Sequence, residues 1–139
     1  MERTLLIIKP DAVAAGLIGA IITRFERAGF VIRAMQSLHL TAEQARGFYA
    51  EHEGKEFFER LVAFMTSGMV VVMAAEREGA IQRARNLVGA TNSAQAAPGS
   101  IRGDFGRDNT ANAIHASDSP ESAQRELAFF FPSGVTPTL

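Results

Sequence analysis

The chain reads as a mixed α/β (α+β) fold, and three observations predict it. Apolar, β-branched runs at 5–8, 30–38 and 69–75 have the length and composition of strands. Segments with helical apolar spacing fall between and after them. The resulting order is strand, helix, strand, helices, strand, helix, loop, strand, helix, which argues for one sheet with helices packed on it. A ferredoxin-like βαββαβ antiparallel sheet fits this order, with an added helical pair between the second and third strands.

Each element has a local cause. Leu5 to Ile8 is a continuous apolar run ended by Lys9-Pro10-Asp11, which predicts a buried strand entering a turn. Ile18, Ile21, Ile22, Phe25 and Ala28 then recur at helical spacing, and Gly29 stands where a helix ends. Phe30 to Leu38 predicts the second strand. Thr41 and Gln44 have the spacing of a capping box, so a helix carrying Phe48 and Tyr49 starts there. Phe57, Phe58, Leu61, Val62 and Met65 suggest a further short helix after the break at Gly54. Met69 to Ala75 is the strongest strand of the sequence. Ala80, Ile81, Ala84, Leu87 and Val88 mark a helix closed by Gly89. Residues 90 to 111 are small, polar and glycine-rich without periodicity, and read as a long functional loop. Ala113-Ile114 suggests a short last strand. Ser119-Pro120-Glu121 then supplies an N-cap, an N1 proline and early negative charge for a final helix through Ala123, Leu127 and Phe130. Pro132 to Leu139 reads as irregular surface chain.

Neither an internal repeat nor a domain boundary is visible, so residues 1–139 read as a single domain. A chain of 139 residues buries roughly two thirds of its unfolded surface. Apolar residues are 47% and charged residues 21%, as in ordinary globular proteins. The formal net charge of -1 supplies no global basic field for nucleic acid or membrane surfaces, although a local cationic pocket remains open. Arginine greatly outnumbers lysine, and its rigid donor fork suits phosphate. The absence of cysteine excludes disulfides, thiolate metal sites and cysteine nucleophiles. No segment approaches the apolar length of a membrane span, and the N-terminal run is too short for a signal peptide, so a cytoplasmic location is expected.

Among the three histidines, His115 lies at the end of a predicted strand just before a capped helix, where α/β proteins collect anions. Taken alone, that placement is more often that of a half-buried histidine used as a polar tip. His39 falls in a strand pattern and His52 among glutamates on an exposed helix, and both read as structural or solvated. The histidines are too scattered for a metal site. Lys9 projects from a strand end ahead of a proline, which fits a point charge for phosphate as well as a snorkelling surface lysine. No Walker-type glycine loop occurs, so any phosphate cradle has to be assembled from separated side chains such as Arg85, Thr91 and Arg102.

The motifs IIKPDAV, GATN, PGSIRGDF and NAIHASDSPESA occur in that order. In content and spacing they resemble the nucleoside diphosphate kinase family, from Glu2 to about Phe131, and the short tail resembles its compact bacterial members. The resemblance implies ping-pong transfer of a terminal phosphoryl group from a nucleoside triphosphate to a nucleoside diphosphate, with phosphohistidine on His115 as the intermediate. It makes Glu126 the carboxylate on the far ring nitrogen, with Ser117 bonded to that carboxylate and Asp118 in the same segment. Lys9, Arg85, Thr91 and Arg102 match phosphate-holding positions, Lys9 and Asn112 ribose contacts, and Tyr49 a hydroxyl donor near the nucleophile. Phe57 matches the aromatic that stacks on the base, with Leu61 one helical turn on. Mg²⁺ is implied as a passenger on the nucleotide phosphates, without a dedicated protein cage. A homo-oligomer, tetramer or hexamer, is implied, without a membrane or a primary nucleic-acid partner.

Four positions depart from the family pattern. Asn109 stands where an apolar residue usually faces the base, which weakens the clamp by about 1 kcal/mol. Ala116 replaces a common glycine, at a cost of about 1 kcal/mol only if the backbone there has positive φ. Glu56 and Ser93 replace prolines and touch loop rigidity and assembly. Three competing readings are a non-catalytic binding or scaffold member of the same fold, a ligand-binding regulatory module, and a nucleic-acid binder.

Overall fold

The computed structural model describes residues 1–135; the end of the tail, 136–139, lies outside the described residues. Its sheet contains β1 (Glu2–Ile8), β2 (Val31–His39), β3 (Met69–Arg77) and β4 (Ile114–Ala116), in the order β2-β3-β1-β4 with every neighbouring pair antiparallel. The helices are α1 (Pro10–Ala14), α2 (Ile18–Arg27), α3 (Ala42–Phe48), α4 (Phe58–Met65), α5 (Ala80–Val88), α6 (Ile101–Phe105) and α7 (Pro120–Phe130). The βαββαβ order and the α3–α4 insertion agree with the expectation from the sequence.

The two faces of the sheet follow from the period-two alternation of strand side chains. Leu6 and Ile8 of β1 pack with Val71, Met73 and Ala75 of β3, and with Phe25 of α2 and Ala84 of α5, on one face. Leu5, Ile7, Val70 and Val72 form the other face with Phe48, Phe58, Val62, Met65 and Phe130 from α3, α4 and α7. Both faces of β1 and β3 are therefore covered, which is why these strands read as unbroken apolar runs.

The alternation also aims the short strand β4. Ile114 and Ala116 pack into the first cluster. His115, paired with Ile7, consequently faces the α3–α7 side. There it meets the Phe48 ring edge-on, with centroids 5.4 Å apart.

Two local predictions needed revision. Lys9-Pro10-Asp11 is more than a turn, because Pro10 occupies the first position of α1 and Lys9 caps it in extended conformation. Residues 90–111 are not structureless: a 3-10 turn at Ser93–Gln95 and the helix α6 lie within them. Ser100 caps α6, its Oγ accepting from the Gly103 N–H at 3.1 Å. A side chain at Gly103 would collide with the Ala97 carbonyl, so the segment closes on itself only with glycine there.

Candidate active site

An open cleft of about 720 Å³ lies on the α3–α7 side, beyond the end of β1 and along β4. Its walls include Lys9, Tyr49, Phe57, Leu61, Arg85, Thr91, Arg102, Asn112, His115 and Glu126, so the fold brings these candidates to one place, while Ser117 is buried behind the wall.

The centre of the cleft is a three-residue relay. His115 donates from Nε2 to Glu126 Oε1 at 2.8 Å, and the Ser117 hydroxyl donates to the same oxygen, also at 2.8 Å. Ser117 is held in turn by the Leu5 N–H at 3.1 Å. Glu126 and Ser117 are buried and His115 is partly exposed. With Nε2–H committed to Glu126, a neutral ring keeps its lone pair on Nδ1, which has no protein partner among the described residues. α7 supplies the glutamate because Ser119 caps its start, accepting from the Ser122 N–H at 3.1 Å, and Pro120 begins its first turn.

Cations surround the relay. Arg102 donates from Nη2 to the Ile114 carbonyl at 2.8 Å, and Arg85 donates from Nη1 to the Ala116 carbonyl at 3.2 Å. The two guanidiniums thus grip the backbone on either side of His115. Burial and the nearby Arg85 push the Arg102 guanidinium down to about 10, so it remains charged at neutral pH. Lys9 Nζ donates to Asn112 Oδ1 at 2.8 Å, and Asn112 Nδ2 donates to the Thr91 carbonyl at 2.9 Å. Burial first, and then repulsion from Arg102, bring the Lys9 ammonium down to about 7. Burial, reinforced by the Glu126 charge, pushes the Tyr49 phenol well above its usual value, so its hydroxyl stays a donor. That hydroxyl and Arg102 Nε are buried without partners among the described residues, as expected of groups that serve a ligand.

Asn112, Ala113 and Ile114 form a tight turn just before the histidine. Ala113 has φ 74°, and it is the one non-glycine residue with positive φ among those described. The Ile114 N–H donates to the Asn112 carbonyl at 2.9 Å, the i to i+2 bond of a strained γ-turn. Ala116 does not have positive φ, so replacing the usual glycine there costs nothing by that route.

At the mouth of the cleft, Phe57 is 39% exposed and stands beside Leu61, Asn109 and Thr110. His52 also lines the cleft, with its ring 5.4 Å from Phe57 and 6.4 Å from Tyr49, stacked on the latter. The sequence reading placed His52 on an exposed helix among glutamates. It lies instead in a 3-10 turn, Ala50–His52, that folds back over Tyr49. Phe48, which the sequence marked only as helical, packs on the His115 ring. Its spacing from Tyr49 and the α3 capping box were the available signals.

Among the described residues, no group of three histidine, aspartate or glutamate side chains could hold a metal ion. The arginines, lysine and hydroxyls of the cleft suit an anionic ligand.

Comparison with known proteins gives one consistent family. The family model described as nucleoside diphosphate kinase matches residues 2–135. The Aquifex aeolicus nucleoside diphosphate kinase, in an orthorhombic crystal form, has a TM-score of 0.95 at 50% identity over 99% of both chains. The apo enzyme of Encephalitozoon cuniculi has a TM-score of 0.96 at 37% identity, over 100% of this chain and 95% of that one. The halophilic enzyme of Halobacterium salinarum, solved in complex with CDP, has a TM-score of 0.91 at 46% identity, over 94% of this chain and 87% of that one.

Proposed function

The chain belongs to the nucleoside diphosphate kinase family and is a phosphotransferase, and on that premise we propose how its cleft carries the kinase reaction. The observation that carries the proposal is the His115–Glu126 bond, which spends Nε2 and leaves Nδ1 free to attack. The Nδ1 lone pair forms a bond to the terminal phosphorus of a bound triphosphate. The bridging P–O bond breaks, and its electron pair leaves with the diphosphate. An acceptor diphosphate oxygen then attacks the phosphohistidine phosphorus, and the P–N pair returns to Nδ1. No net proton is gained or lost in the cycle.

Each neighbour has a definite task in this route. The ring becomes cationic as the P–N bond forms, and the buried Glu126 carboxylate stabilises that charge through Nε2–H. Ser117 keeps the carboxylate aligned. Arg102, Arg85, Lys9 and Thr91 hold phosphate oxygens, and the Tyr49 hydroxyl donates near the transferring group. Lys9 and Asn112 hold the ribose hydroxyls, while Phe57 and Leu61 form the base platform. Stacking reads the face of a ring, so purines and pyrimidines are both admitted. The CDP held by the Halobacterium relative supports this range. Mg²⁺ on the phosphate oxygens would neutralise charge as it develops, and the cleft needs no carboxylate cage for it.

Residues 1–139 act as one domain in this reading. We also place the chain in a homo-oligomer, tetramer or hexamer. β2 is an edge strand of nine residues, with Val31 44% and Met35 58% exposed. Sedimentation of the intact chain tests this, a monomer at micromolar concentration being the contrary result. Among the described residues no helix is long and apolar enough to cross a membrane. The cytoplasm is the proposed location, and recovery in a secreted or membrane fraction would contradict it.

The route itself is tested in its first half-reaction. A labelled terminal phosphoryl group of ATP should pass to the chain with no diphosphate added, stay on it when nucleotide is removed and leave to added GDP, and His115→Ala should take up none while remaining folded. Label uptake that persists in the variant would require another acceptor side chain, and overall transfer by a native chain that takes up no label would require direct transfer between two bound nucleotides.

A further inference from the structure

We propose that Asp11 is a positioning residue for the nucleophile, its carboxylate holding the strained turn at Ala113 that sets His115 against Lys9 and Asn112. Asp11 does not line the cleft, so it acts through the turn rather than on the nucleotide.

The Ala113 backbone is fully buried and left-handed. Ala113 lies outside the register of β1 and β4, and a buried N–H has to find an acceptor. The acceptor is Asp11 Oδ2 at 3.2 Å, across 102 residues of sequence. Two further bonds join the same segments: Lys9 N–H donates to the Ala113 carbonyl at 2.9 Å, and Lys9 Nζ to Asn112 Oδ1 at 2.8 Å. Lys9-Pro10-Asp11 therefore clasps Asn112-Ala113 at three points, with Pro10 fixing the direction of the chain between them.

An alanine with positive φ persists only where its surroundings over-determine it. Without the Asp11 acceptor the turn would lose both the compensation for that φ and the partner of its N–H. Relaxation toward extended backbone would lengthen the chain between Asn112 and His115. The nucleophile would then shift relative to the phosphate-holding groups, while the groups themselves stayed in place.

This inference rests on His115 being the phosphoryl acceptor, and the experiment separates the two. Phosphoryl uptake from Mg²⁺-ATP by the intact chain is followed in a single turnover at several nucleotide concentrations. Asp11→Ala should slow the maximal rate about tenfold, with the half-saturating concentration changed less than about twofold. Asp11→Asn, whose amide oxygen still accepts, should keep most of the rate. Ala113→Gly, which removes the strain, should restore most of it in the Asp11→Ala background.

The proposal is overturned if Asp11→Ala runs at the native rate. It is equally overturned if Asp11→Asn is as slow as Asp11→Ala, or if glycine at 113 fails to rescue, because Asp11 would then act through its charge on Lys9. Should Asp11→Ala not fold, the double variant is compared with Ala113→Gly alone: similar rates support the proposal and a slow double variant overturns it. If the native chain takes up no phosphoryl group on His115, the reading of the nucleophile fails instead.

Discussion

Lys9 is the cation of the cleft whose charge depends most on what it binds. Burial and Arg102 hold it near 7, well below its ordinary 10.5. The unfolded chain thus binds more protons than the folded one between about pH 7 and 10.5, and this group alone makes the free protein more stable as pH rises through that window. A phosphate beside it reverses the balance, because an opposite charge favours the ammonium. Nucleotide binding at about pH 8.5 should therefore take up a fraction of a proton, and at about pH 6 should take up none at Lys9. Calorimetry of ADP binding in two buffers of different ionisation enthalpy measures this directly. Zero uptake at the higher pH, or uptake that survives Lys9→Met, would remove Lys9 from the phosphate site. Arg102 offers the useful contrast: it is buried as well, yet a guanidinium held near 10 stays charged under both binding conditions.

At the scale of elements, the site depends on short pieces with defined ends. α6 has only five residues and places Arg102 against β4. Its stability rests on Ser100, whose Oγ accepts from the Gly103 N–H and donates to the Ala97 carbonyl at 2.6 Å. Ser100→Ala should cost about 1 kcal/mol in urea unfolding, and should raise the nucleotide KM more than it lowers kcat. Unchanged stability would show that α6 is held by packing of Ile101 rather than by its cap. The same helix marks where sequence reading stops. A five-residue helix containing a glycine is little more than one turn, and its single apolar pair, Ile101 and Phe105, is too short for a period to be counted. Ser100 followed by Asp104 in the first turn was the only local sign. By contrast α2, α3, α5 and α7 carry either a long apolar period or an explicit cap, and their positions were legible to within a residue or two.

Across the whole molecule, the sheet order brings residues 9, 85, 102, 115 and 126 to one cleft although they are far apart in the chain. Nothing in local composition encodes that convergence. Read singly, each of these side chains was as compatible with a surface role, and only the ordered motifs linked them. The relay was legible in outline through the same motifs. The grip of Arg85 and Arg102 on the carbonyls flanking His115, and the turn at Ala113, were not legible, because both are backbone contacts made by tertiary structure. His52 stayed hidden for a related reason: its neighbours in sequence are charged, while its neighbours in space are Tyr49 and Phe57.

The central claim concerns one nitrogen of one ring. The protein is loaded from Mg²⁺-ATP and separated from nucleotide. The position of the phosphoryl group is then mapped by peptide sequencing and by ³¹P resonance against the two phosphohistidine isomers. The account predicts a single group on Nδ1 of His115, discharged by GDP with GTP formed. Phosphate on Nε2, on His52 or on any other side chain would contradict it.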